Sequence, residues 1–302
     1  MIISVSRRTD IPAFYAEWFV RRLRQGFAYV RNPMNFRQVS KVILDPKAVD
    51  CFVFWTKNPR PLLPYLQEIQ DRGYPFYFQF TLTPYDGLIE KRLPPKEKLL
   101  ETFQALSQAV GAARVIWRYD PIFLSRKITL EDHFQSFTSL AQSLAGFTER
   151  CVISFFDVYR KIKRRAEKSG LRAPKKAEMI ILGRELAAVA SQNGLEMFTC
   201  AEGIDLTRFG IRKGKCIDDA LIEKISGISL TVKKDPNQRP HCGCVQSVDL
   251  GAYNTCLHNC LYCYANGSEQ AVQRNTAMYS AKEPILCSRV SEEDQITTRK
   301  VR

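Results

Sequence analysis

The chain has 302 residues, 45% hydrophobic and 25% charged, a globular composition with enough length for one large core or two ordinary ones. No apolar run approaches the roughly 18 residues of a membrane helix. The opening MIISVSRRTD has too short an apolar part for a signal peptide, so the expected location is cytoplasmic. A net charge of +14 favours anionic ligands or polyanions without selecting one.

Runs rich in Val, Ile, Phe and Tyr predict strands at about 2–6, 52–56, 75–82, 114–119, 151–156, 195–200, 228–232 and 245–250. Helical periodicity fills most of the intervals. FYAEWFVRRLRQG and PPKEKLLETFQALSQAVG place apolar residues three and four apart. TLEDHFQSFTSLAQSLAG begins at Thr129, an N-cap type, and KKAEMIILGRELAAVASQNG stops at Asn193-Gly194. Strand alternating with helix predicts an α/β fold, a complete or partial TIM-type barrel over residues 1–267 with its helices outside. The interval KKDPNQRPHCGC is too short for a helix and breaks the pattern. Residues 268–302 read as a polar, irregular extension packed on the barrel, with a frayed end.

Polar residues gather where the expected strands end. Ser6-Arg7-Arg8-Thr9-Asp10 closes the first and Trp55-Thr56-Lys57-Asn58 the second; Gln79, Thr81 and Thr83 mark the third. Arg118 and Asp120 mark the fourth, Ser154 and Asp157 the fifth, Cys200 and Glu202 the sixth. In a parallel sheet these ends share one face, where such folds build active sites. Each has a bland reading alone: Arg118 and Asp120 as an ion pair, Asp10 or Asp157 as helix caps. The densest basic stretch, Tyr159 to Glu178, holds nine Lys or Arg against two Glu. It reads as a solvated helix and turn, or as a phosphate-backbone surface.

Ten cysteines in a reducing compartment point to metal rather than disulfides. Cys51 and Cys151 each open an apolar run and read as buried hydrophobes. The loop 253–267, YNTCLHNCLYCYANG, carries Cys256, Cys260 and Cys263 at C-x3-C-x2-C spacing. Three thiolates can hold three irons of a cubane cluster and leave the fourth iron open to a small molecule; a structural cluster or zinc site wants four protein ligands. The rival is zinc, with His241, Cys242, Cys244 or His258 completing the shell. A second set, Cys200, Cys216, Cys242 and Cys244, could form a closed cluster or zinc site, or stay unconnected thiols. Cys200 could instead donate a hydrogen atom to a substrate radical. Arg118 and Asp120 join it as candidate catalytic residues, and His258 is given no role.

CLHNCLYC resembles the radical S-adenosylmethionine (radical SAM) signature, with Tyr262 at its aromatic position. The longer YNTCLHNCLYCYA is similar to the spore photoproduct lyase branch, although Thr255 stands where that branch carries Gly. The whole chain, including SRRTDIPAFY and CGCVQSVDLGAYNTC, resembles the DUF1848 proteins, a likeness that supplies fold and motif but no substrate. The radical SAM likeness implies a [4Fe-4S] cluster on Cys256, Cys260 and Cys263, with S-adenosylmethionine (SAM) on the open iron. It also implies an electron donor such as flavodoxin or ferredoxin, and Tyr262 packed near the adenine. Such enzymes usually carry the motif after the first barrel strand. The expectation here is therefore a circularly permuted barrel, with VQSVDL occupying the first place in space although it comes last in sequence. The usual Gly-Gly-Glu segment is not visible, so Arg7, Arg8, Lys57 and Arg118 are candidate carboxylate partners by chemistry alone. The substrate expectation is a nucleic acid or a small anionic metabolite. The alternative is an iron–sulfur- or zinc-stabilised nucleic-acid-binding protein without SAM chemistry.

Overall fold

The computed structural model describes residues 1–300. The strands are β1 (Ile2–Val5), β2 (Phe27–Arg31), β3 (Gln38–Ile43), β4 (Cys51–Thr56), β5 (Phe76–Thr81), β6 (Val115–Ile122), β7 (Arg150–Phe155), β8 (Glu196–Cys200), β9 (Arg212–Gly214), β10 (Val248–Asp249) and β11 (Gln295–Thr298). Eight of them form one sheet in the order β10-β1-β4-β5-β6-β7-β8-β9. Every pairing in it is parallel. The strand that leads into the cysteine loop thus lies beside β1, with Ile3 opposite Val248 and Ser4 opposite Asp249.

The central strands are apolar on both faces, as parallel strands covered on both sides must be. Ile3, Phe54, Phe78, Trp117 and Ile153 point to the outer layer. There they meet α2 (Ala16–Gln25), α4 (Lys96–Val110), α5 (Leu130–Leu144) and α7 (Lys176–Gln192), which contribute Phe19, Phe103, Phe137 and Leu186. The alternate positions Ile2, Val53, Tyr77, Ile116 and Val152 point inward, against Cys216, Ile217, Ile222 and Val245. Local signals set the helix ends. Thr129 and Asp132 form a capping box on α5. α2 stops at Gly26, whose φ of 76° is a left-handed conformation that glycine adopts without strain.

The sheet is not a closed barrel. Residues 228–232 form no strand, and the expected strand at 245–250 shortens to Val248–Asp249. The eighth place is taken by β9, in Arg212–Gly214, a three-residue strand too short to carry a periodic signature. Gly214 packs so closely on β8 that an added Cβ would lie 2.9 Å from Phe198 Cβ and from Thr199 O. Between the β9 and β10 edges the connecting segment folds on itself in one isolated bridge, Lys234 to Val245, and reaches the β9 side through Val245 N–H to Ile217 O at 3.2 Å. The proline-bearing KKDPNQRP run supplies too few ladder donors to close the gap by pairing.

The antiparallel hairpin β2–β3 and its third strand β11 form a separate sheet absent from the sequence expectation. The 268–302 segment is correspondingly less irregular than expected. It contains a helix at Glu269–Thr276 and β11, and it docks on α2 through Trp18 Nε1 to Glu283 O at 2.9 Å and Arg22 Nη2 to Lys282 O at 3.1 Å. Residues 301–302, within the expected frayed end, lie outside the described residues. Among the described residues no helix is long and apolar enough to cross a membrane.

Candidate functional site

The inward strand positions change character toward the carboxyl end of the sheet. Above the apolar layer lie Trp55 on β4, Thr81 on β5, Arg118 and Asp120 on β6, Ser154 on β7 and Cys200 on β8. Together with Arg7, Arg8, Asp10, Lys57 and Asp157 they line a cavity of about 1910 Å³. Gln79, Thr83 and Glu202 do not line it. They bond instead to Cys216 O (3.0 Å), to Glu90 (2.8 Å) and to Phe155 N–H (2.9 Å).

The loop after β10 covers one side of this mouth. Asp249 anchors its start, accepting from Ser4 Oγ (2.9 Å), Ser6 Oγ, Arg7 N–H (2.9 Å) and Gly251 N–H (2.9 Å). Gly251 touches β1 so closely that an added Cβ would sit 2.7 Å from Ser6 Cβ. Tyr15 donates to Thr255 O (2.6 Å), Asn266 Nδ2 to Cys256 O (2.7 Å) and Arg165 Nη2 to Cys263 O (2.5 Å). Asn254 and Asn259 take positive φ, which asparagine tolerates, and so let the loop fold back. Cys256, Cys260 and Cys263 all line the cavity. Burial, with Cys263 adding to it, pushes the Cys256 thiol up to about 12, and burial also raises Cys260. Three thiols on one loop facing one cavity fit a group that needs three protein ligands. Among the described residues, no group of three or more His, Cys, Asp or Glu side chains is placed so that it could hold a metal ion as it stands.

Two contacts under the loop were not anticipated. His258 is buried, with Nε2 2.7 Å from Asp10 Oδ2 and its ring edge-on to Phe14 at 4.6 Å. Asp10 also caps α1 (Ile11–Phe14) through Ala13 N–H and accepts Lys57 N–H at 2.7 Å. Glu90, 1% exposed, accepts from Lys57 Nζ (2.7 Å), Lys96 Nζ (2.6 Å), Thr83 Oγ1 (2.8 Å) and the Tyr262 hydroxyl. Burial would raise its carboxyl, but the two ammoniums outweigh that and hold it at about 2. Tyr262 is therefore tied by its hydroxyl, and its ring packs against Tyr85 and Phe123 at 5.9 and 5.8 Å. The Lys57 ammonium is already paired. Arg7 and Arg8 are less committed: Arg7 reaches Ser247 Oγ at 3.4 Å, and Arg8 lies 4.0 Å from Asp249 and over the Tyr253 ring.

Buried Arg118 pairs with the half-buried Asp120, with Nε 3.0 Å from Oδ2, and Asp120 also takes the Ser154 hydroxyl. The other side of the guanidinium meets Gln79 Oε1 (3.2 Å) and Cys216 Sγ (3.0 Å). Cys216 Sγ is 2.9 Å from Cys200 Sγ, and Cys244 Sγ accepts the N–H groups of Cys216 (3.2 Å) and Ile217 (3.4 Å). Hydrogen bonding with Cys216 and Cys242 depresses the Cys244 thiol. Bonding with Cys216 depresses Cys200, while the partners Cys216 and Cys242 are raised. The second cysteine set thus lies together, and all four members border the cavity that the first set lines. The basic stretch divides. Arg160 and Lys161 line the cavity and Arg165 braces the cysteine loop, whereas Arg172 turns away to Glu178 at 2.7 Å.

A parallel α/β sheet with its polar cavity and cysteine loop at the carboxyl ends of the strands defines the class of this protein. The chain belongs to the family described as Domain of unknown function (DUF1848), whose model matches residues 2–265 and so takes in all three loop cysteines. No curated protein matches the chain.

Proposed function

We propose that the protein is a radical SAM enzyme acting on an anionic substrate, with Cys256, Cys260 and Cys263 holding a [4Fe-4S] cluster. The observation that carries this reading is the facing of all three C-x3-C-x2-C thiols into one large cavity at the carboxyl edge of a parallel sheet. The placement of β10 beside β1 supports a permuted radical SAM scaffold, since the motif then follows the strand next to the first. When bound, the cluster supplies the electron that splits SAM into methionine and a 5'-deoxyadenosyl radical.

The chain's own residues have narrower tasks. Asp249 and the Asp10–His258 contact hold the loop against β1 and α1, and the Glu90 hub locks Tyr262 beneath it. Arg7 and Arg8, at the mouth and only weakly paired, are the cations best placed for a carboxylate of SAM or substrate. A cavity of about 1910 Å³ exceeds the roughly 300–1,000 Å³ of single small-molecule sites, which leaves room for a second molecule beside SAM. Arg160 and Lys161 at its rim favour a phosphate-bearing substrate, such as a nucleotide or nucleic acid.

The test is anaerobic reconstitution with iron and sulfide, followed by strong reduction with SAM. The expected result is bound iron and slow release of 5'-deoxyadenosine and methionine, both lost in the triple variant C256A/C260A/C263A. Intact SAM in the presence of a demonstrated cluster would overturn the enzymatic reading. It would leave the nucleic-acid-binding one, which the basic rim also supports.

A further inference from the structure

The second cysteine set joins pieces of chain that the sheet itself leaves apart. Cys200 ends β8, and Cys216 follows β9, at one edge of the sheet. Cys242 and Cys244 precede β10, the strand at the opposite edge. Across the gap the backbone contributes the bond from Val245 N–H to Ile217 O, while the Lys234–Val245 bridge lies within the connecting segment. We propose that these four thiols bind a single thiophilic divalent ion, zinc by preference, which clasps the two edges of the open sheet together.

Three observations support a mononuclear site. The first is spacing. Four thiolates around one ion at about 2.3 Å stand about 3.8 Å from one another, whereas a cubane spreads its ligands over separate irons and needs more room. Cys200 and Cys216 Sγ are 2.9 Å apart, so they need part by only about an ångström to take up tetrahedral ligation. The second is acceptor character. Cys244 Sγ receives two backbone N–H groups, from Cys216 and Ile217, as a thiolate ligand does. The third is charge. A tetrathiolate around a divalent ion carries two net negative charges, and the buried Arg118 guanidinium donates to Cys216 Sγ at 3.0 Å. Binding releases the thiol protons and involves no change of oxidation state. Zinc prefers this closed tetrahedral sulfur shell, with no open position for chemistry.

The proposal stands apart from the cluster on the loop and is tested without it. The C256A/C260A/C263A variant is purified and its metal measured by elemental analysis and X-ray absorption. The expected result is one zinc per chain with four sulfurs at about 2.3 Å. Zinc should be lost when C242A/C244A is added, while the C242A/C244A change alone should leave iron on the loop. Absence of zinc from the triple variant even after anaerobic Zn²⁺ addition would overturn the site, as would an iron–sulfide cluster or a nitrogen–oxygen shell. Should C242A/C244A fail to fold, the full chain decides. Mercurial titration read with a zinc-responsive dye should release one ion, and amide exchange at Ile3 and Val248 should then rise roughly tenfold or more. Unchanged exchange after zinc release would refute the clasp.

Discussion

Glu90 collects two ammoniums, a hydroxyl and a phenol at one nearly inaccessible carboxylate. Its folded-state value of about 2 lies below the ordinary 4.5. The stabilisation it gives is therefore complete above about 4.5 and disappears as pH falls toward about 2. Glu90→Gln leaves two cations without their counter-charge and should cost roughly 3–5 kcal/mol in urea unfolding at neutral pH. The gap between wild type and E90Q should narrow as pH is lowered through that window, and a gap that stays constant with pH would refute the charge argument. None of this was legible from sequence. Tyr262 lies 172 residues from Glu90, and Asp10 lies 248 from His258. A lone loop histidine and a lone loop glutamate carry no local pattern that predicts such partners. Arg118 and Asp120, two residues apart on one strand face, were legible as a pair because local geometry alone brings them together.

β10 is two residues long, and two ladder positions cannot by themselves position the cysteine loop. Its attachment to β1 depends on the Asp249 carboxylate and its four donors. Asp249→Ala should cost roughly 3 kcal/mol by leaving those partly buried donors unpaired. It should also reduce iron retention by the loop while far-UV circular dichroism stays that of a folded α/β protein. Full iron retention in D249A would show that the backbone pairing suffices. The same economy explains which elements could be read in advance. The central strand β4 announces itself by the apolar run Cys51 to Trp55, and α5 by its N-cap Thr129. β9 and β10 are too short for any period, and the 228–232 run looks like a strand but finds no neighbouring edge to pair with. The hairpin β2–β3 alternates too weakly between polar and apolar to stand out.

Across the whole molecule, the net charge of +14 is not spread evenly in its effect, because Arg7, Arg8, Arg160 and Lys161 face the cavity. A short single-stranded oligonucleotide should bind there and lose about an order of magnitude or more in affinity between roughly 50 and 200 mM salt. R160E/K161E should remove most of that binding without lowering iron content. Salt-insensitive binding, or binding indifferent to the charge reversal, would point instead to a small anionic metabolite deeper in the cavity. The topology has a further consequence in time. In chain order β1 comes long before its edge partner, since Asp249 lies 245 residues beyond Ser4. Until that partner is synthesised β1 keeps one edge open, exposed to wrong partners. All three loop cysteines emerge after that edge strand. A stalled or shortened nascent chain can fold much of its sheet yet lack the cysteine loop. Under the proposed function, cluster loading comes late and is open only to a chain translated past Cys263.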